Sequence, residues 1–92
     1  MKVFADSQAL LPSPRMIRAA RGLLGMDQAV LAKELGVDRK TIVRVETDTR
    51  SKIDARRRAV LEAIRNRFEE DHNIEFIFPG EQTGEGVRFR KR

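Results

Sequence analysis

Arg39, Lys40 and Arg44 are the side chains whose type and spacing most clearly point to chemistry. With Val43 and Thr47 they recur at one-, four- and five-residue steps, which on a helix places them opposite Ile42 and Val45. The apolar pair faces a core, and the cations are left on a face that the core does not use. A planar guanidinium fork and a compact ammonium suit an anionic partner; a plain solvated helix face is the alternative. Other chemistries find less support. With no cysteine there is no disulfide or thiolate, and His72 alone makes no zinc site. No carboxylate pair has a nucleophile or a second histidine beside it, and Gly84-Glu85-Gly86 reads as a hairpin turn rather than a phosphate cradle. No catalytic constellation, metal site or cofactor site is expected.

The totals agree with a binding protein. Nineteen Lys and Arg against fourteen Asp and Glu give a formal charge of +5, which favours nucleic acid or a membrane surface. No run of about 18 apolar residues could span a bilayer, and the opening MKVFADSQALLPS lacks the apolar core of a signal peptide. The expected location is the cytoplasm, on the nucleoid when DNA is bound. At 92 residues the chain fits one small domain whose core is marginal, so dimerisation would help it.

Several elements must position the cationic face. Residues 1–12 show no sustained period and read as a tail. Ser13-Pro14 starts a helix, Ser as cap and Pro at the first helical position. Met16, Ile17, Ala20, Leu23 and Leu24 form its buried stripe, and Gly25 ends it. Asp27 caps a second helix with Leu31 and Leu35 inward and Ala32 leaving room for a neighbouring backbone. Gly36 ends that helix, and Asp38 caps the third. TDTRSK (47–52) is a loop that keeps Arg50 and Lys52 accessible. A longer helix over 54–71 presents Ala59, Val60, Ala63, Ile64 and Phe68 to the bundle. Its ends carry the wrong charges for the helix dipole: Arg56, Arg57 and Arg58 at the start, Glu69, Glu70 and Asp71 at the end. After residue 73 the period becomes alternating. Ile74, Phe76 and Phe78, then PGEQTGEG, then Val87 and Phe89 predict a β-hairpin. A lone hairpin is marginal in water, so a helix or a second subunit must cover it.

The stretch IRAARGLLGMDQAVLAKELGVDRKTIVRVE resembles the lambda-repressor-like, or XRE, helix-turn-helix family of bacterial and phage regulators. The string Gln28-x-x-Leu31-Ala32-x-x-x-Gly36-Val37, followed by Ile42 and Glu46, carries the likeness over about residues 16–52. The resemblance implies a mainly α fold: a bundle of four to five helices over 13–72, here followed by a C-terminal hairpin over 73–92. It also implies that the third helix lies in the major groove of double-stranded DNA. Gln28 would then meet phosphate, Arg39, Lys40 and Arg44 would face bases or neighbouring phosphates, and Thr41 would add a phosphate contact. Arg50 and Lys52 would clamp the backbone, while Arg21 and Glu46 would form a structural ion pair. Val43 either touches a thymine methyl or is an inert exposed valine. Thr47-Asp48-Thr49 departs from the Asn/Gly-type loop start frequent in the family, and Val30 and Val43 occupy sites often polar there.

The implied function is a sequence-specific regulator without enzymatic activity, a repressor binding an inverted repeat as a homodimer. Ile74, Phe76, Phe78, Val87 and Phe89 are the expected dimerisation residues. The alternative is an antitoxin or adaptor whose hairpin binds a partner protein, with DNA contact secondary. Arg56 to Arg58 read as surface charge, as phosphate contacts or as pairing across a dimer, and His72 as a surface residue.

Overall fold

Ser13 Oγ accepts the Met16 amide at 3.2 Å while Pro14 occupies the first helical position, so α1 (Pro14–Leu24) begins as the sequence reading expects. The computed structural model describes residues 10–48 and 52–91. Gly25, at φ 62°, turns the chain out of α1. An Asp27 carboxylate oxygen accepts the Val30 amide at 2.9 Å to start α2 (Gln28–Leu35). Gly36, at φ 70°, ends it, with the Val37 amide donating back to the Ala32 carbonyl. Only glycine takes such a φ without the Cβ penalty, which makes this turn tight. At the start of α3 (Arg39–Thr47), Asp38 holds the cap position but its side chain makes no capping bond; its carbonyl accepts the Thr41 amide instead.

The core is formed by Met16, Ile17, Ala20, Leu31, Ala32, Ile42 and Val45 with Leu61, Ile64 and Phe68 of α4 (Ala55–Asp71). Two stripe assignments are corrected. Leu23 is 42% exposed, because seven residues beyond Ile17, two full turns, falls Leu24, which does pack on the core. Ala59 and Ala63 are exposed and Leu61 is buried in their place. The apolar face of α4 runs 61, 64, 68, about half a turn from the alanines. Leu35 and Val60 are half-buried at the rim.

The hairpin β1 (Ile74–Ile77) and β2 (Gly86–Phe89) is antiparallel, with Ile74 opposite Phe89 and Phe76 opposite Val87. It packs on the helices, β1 against α4 and β2 against α1. Ile74 is fully buried and Phe76 nearly so, its ring edge-on to Phe68 at 6.1 Å. These two residues, expected at a subunit interface, are therefore inside the chain's own core. Phe78 and Val87 are half-buried, and Phe89 is 51% exposed. Removing the hairpin would strip two side chains from the core. Ahead of α1, Pro12 is buried and Leu11 packs on the core, while residues 1–9 lie outside the described residues. Four helices are present among the described residues.

Asn73 makes the turn from α4 into β1 at φ 58°, and it closes the hairpin twice. Its carbonyl accepts the Arg90 amide at 2.8 Å, and its Nδ2 donates to the Arg90 carbonyl at 2.8 Å. Asparagine tolerates this left-handed backbone better than most residues. Asn73→Val should lose about 2 kcal/mol in urea denaturation, from strain and the lost bond together. Asn73→Gly, which keeps the φ, should lose less.

Polar ties supplement the packing. Glu85, in the loop before β2, accepts from Ser13 Oγ at 2.9 Å and Arg15 Nε at 2.8 Å, fastening the hairpin to the start of α1. Glu34 of α2 accepts from Arg67 and contacts His72 Nε2 at 2.8 Å, so His72 is half-buried between α2 and the end of α4 rather than a plain surface residue. The acidic end of α4 has local partners: Arg65 with Glu69 and Arg67 with Asp71, each one turn apart.

Arg15 holds the Glu85 carboxyl below its usual range, with a further contribution from Ser13. At Glu34, burial works against ionisation but the bonds to His72 and Arg67 outweigh it, and this carboxyl is also lowered. A carboxylate with a depressed folded pKa contributes stability above its unfolded pKa, about 4.3, and loses it as pH falls through the folded value. Stability should thus fall below about pH 4. Glu85→Gln should cost about 1 kcal/mol at pH 7 and show a shallower acid loss in denaturant titrations; an unchanged acid limb would count against this tie.

Candidate nucleic-acid interface

α3 owes its position to a buried ion pair. Glu46 is 1% exposed, with Arg21 Nε 2.6 Å from one carboxylate oxygen and Arg21 Nη2 2.8 Å from the other, a two-point fork. Gln28 Nε2 donates to the same carboxylate at 3.0 Å, and Arg21 Nη1 donates to the Met26 carbonyl at 2.9 Å. Arg18 adds a hydrogen bond to the Glu46 carbonyl. One residue of α3 is thereby fixed to α1 and to the start of α2. The hydrogen bond to Glu46 raises the Arg21 pKa against the opposing effect of burial, so the guanidinium stays charged.

With Ile42, Val45 and Glu46 inward, the opposite side of α3 presents Arg39, Lys40, Arg44 and Thr47 to solvent, with Thr41 and Val43 half-buried. Thr47 Oγ1 donates back to the Val43 carbonyl at 2.8 Å. The cations differ in their engagement. Arg15, Arg21, Arg57, Arg65, Arg67 and Arg88 each pair with a carboxylate. Arg39, Lys40 and Arg44 form no ion pair or side-chain hydrogen bond with another described residue.

Two shallow clefts flank this face, and a third lies at the start of α1. Gln28 and Arg39 line one, where α2 and α3 both begin. A second lies between α3 and the start of α4 and brings together Thr41, Arg44, Arg56 and Arg57. Lys52 lines a third with Arg15, Arg18 and Asp48. Gln28 is thus oriented partly by Glu46, with its remaining polar capacity at the cleft. Arg50 lies outside the described residues. One contributor escaped the sequence reading, and a second was left among several alternatives there. Arg18 shares a face of α1 with Arg21 three residues on, and that spacing was the available signal. Arg56 lines the Arg44 cleft, which only the packing of α4 on α3 reveals. No helix is long and apolar enough to cross a membrane among the described residues.

Compared with known protein families, residues 17–57 match the helix-turn-helix family. No curated protein and no solved structure matches.

Proposed function

Residues 17–57 are a helix-turn-helix domain of the lambda-repressor-like (XRE) family, a domain that implies DNA binding, and from that premise we propose that the protein is a sequence-specific transcriptional repressor acting as a homodimer. The supporting observation is a contrast in pairing: Arg15, Arg21, Arg57, Arg65, Arg67 and Arg88 are engaged by carboxylates, whereas Arg39, Lys40 and Arg44 of α3 stand together unengaged on its outward face. Leaving cations bare is unremarkable singly. Three on the helix that this domain lays in the major groove supply base edges and phosphates with donors.

Arg39 and Gln28 serve one backbone phosphate in their shared cleft, Thr41 serves a second, and Lys52 with Arg50 clamps the strand beyond the reading helix. Arg44 reads a base, and Val43 lies beside it. Occupancy of a promoter suffices to block polymerase, so repression asks for no further chemistry. Two-fold symmetry would set the reading helices about 34 Å apart, one duplex turn. Selection of bound fragments from random DNA tests the proposal: an enriched inverted repeat is the expected result, and recovery of no sequence preference would overturn it. The partly exposed Phe89 also suits the adaptor reading, in which the hairpin meets another protein.

A further inference from the structure

Between the start of α1, the end of α3 and the start of α4 lies a cleft of about 470 Å³, within the roughly 300–1,000 Å³ that small-molecule sites occupy. Its floor is apolar. Val45 and Leu61 are buried there, and Leu11 and Ile53 pack half-buried on the core beside them. Arg15, Arg18, Lys52 and Arg57 line the polar side with Asp48. Two of these cations are neutralised, Arg15 by Glu85 and Arg57 by Asp48. Arg18 donates to the Glu46 carbonyl, a neutral acceptor, so its charge stays uncompensated. Lys52 has no hydrogen bond or ion pair with another described residue. An apolar floor thus adjoins two uncompensated positive charges. The cleft that Gln28 and Arg39 share has cations but no such floor, with Ala29 as its one apolar residue.

We propose that the cleft at the start of α1 binds a small carboxylate with an apolar body, and that this occupant competes with DNA for Lys52. The apolar body covers Val45, Ile53 and Leu61, while the carboxylate accepts from the remaining donors of Arg18 and from the Lys52 ammonium. One carboxylate suits the charge present: two oxygens meet two cations, and Asp48 nearby disfavours a more highly charged head. A neutral molecule of the same shape forfeits both charges, and a bare anion leaves the floor wet. The competition rests on the reading above, in which Lys52 clamps the DNA backbone; the binding itself does not. An ammonium held by the occupant is withdrawn from phosphate, and by linkage DNA weakens the occupant by the same factor.

Hexanoate, hexanol and acetate, titrated into the full chain, test the proposal through the NMR signals of the Val45, Ile53 and Leu61 methyl groups. Hexanoate should shift these signals at millimolar concentration, with hexanol and acetate at least about tenfold weaker. Ile53→Glu sets a carboxylate in the floor and should weaken hexanoate about tenfold or more. Lys52→Gln, at an exposed position that leaves the floor intact, should weaken it severalfold and serves if Ile53→Glu does not fold. At constant ionic strength, saturating hexanoate should lower affinity for the selected DNA about three- to tenfold, and hexanol should leave it unchanged. Equal binding of hexanol and hexanoate, or hexanoate shifts confined to other residues, would overturn the proposal. Nuclear Overhauser contacts between residues 1–9 and Ile53 in the free protein would put the chain's own segment in the cleft and overturn it too. Binding in the cleft with no loss of DNA affinity would overturn the competition. A failure to select any preferred DNA would instead sink the reading of function and leave hexanoate binding to be judged by its own titration.

Discussion

Arg21→Ala is expected to destabilise the protein by about 3–5 kcal/mol, because it leaves the Glu46 carboxylate buried with only Gln28 as a side-chain partner. The free energy of folding of a domain this size is itself of order 5–15 kcal/mol, so the variant would be partly unfolded near 37 °C. The loss reflects an uncompensated charge rather than the net worth of the pair. Arg21→Met with Glu46→Leu, which removes both charges, should therefore lie within about 2 kcal/mol of the parent. Urea denaturation of the parent, both singles and the double closes the cycle. Arg21→Lys should fall between, since an ammonium cannot fork across both carboxylate oxygens. An Arg21→Ala cost below about 1 kcal/mol would show that Glu46 finds water or another donor when the fork is gone. DNA binding should fall at least as far as folding in this series, because the pair holds α3 and Arg21 also lines the cleft that Gln28 and Arg39 share.

That pair also marks how far the sequence was legible. Arg21 and Glu46 stood at family positions, and the helix starts at Ser13-Pro14 and Asp27, with the stops at Gly25 and Gly36, were local signals of backbone chemistry. The hairpin too was local, since alternation and a Pro/Gly-rich loop announce it. What failed depended on phase or on distant partners. A stripe drawn through Ala59 and Ala63 missed Leu61 because alanine is weakly apolar and fits either side of a helix; the face was decided by what α4 packs on. Ile74 and Phe76 looked available to a second subunit because their coverage comes from Phe68 and the helices beneath. The Ser13–Glu85 and Glu34–His72 contacts join residues 72 and 38 positions apart, and no spacing rule predicts them. For the site, the outward face of α3 was legible from period alone, whereas Arg56 had several open readings and only the packing of α4 on α3 sets it beside Arg44.

Arg44→Ala and Lys52→Ala should weaken DNA binding in different ways, and the difference tests which cation reads sequence. Arg44 projects from the face of α3 that a groove would receive, and its fork can donate two hydrogen bonds to a guanine edge, worth about 1–3 kcal/mol of discrimination. Its loss should lower affinity for the selected operator roughly 5- to 150-fold while changing affinity for random DNA much less. Lys52 sits beyond the reading helix and offers a point charge to phosphate. Its loss should lower affinity for both DNAs by a similar factor and reduce the salt slope, the fall of log affinity with log salt, by about one unit. Titrations of operator and random duplex at several salt concentrations separate the two effects. Equal losses on both duplexes for Arg44→Ala would make it a phosphate contact, and base reading would pass to Arg39 or Lys40. A parent affinity indifferent to salt would remove the electrostatic basis of the whole interface, since displaced counterions must accompany each neutralised phosphate.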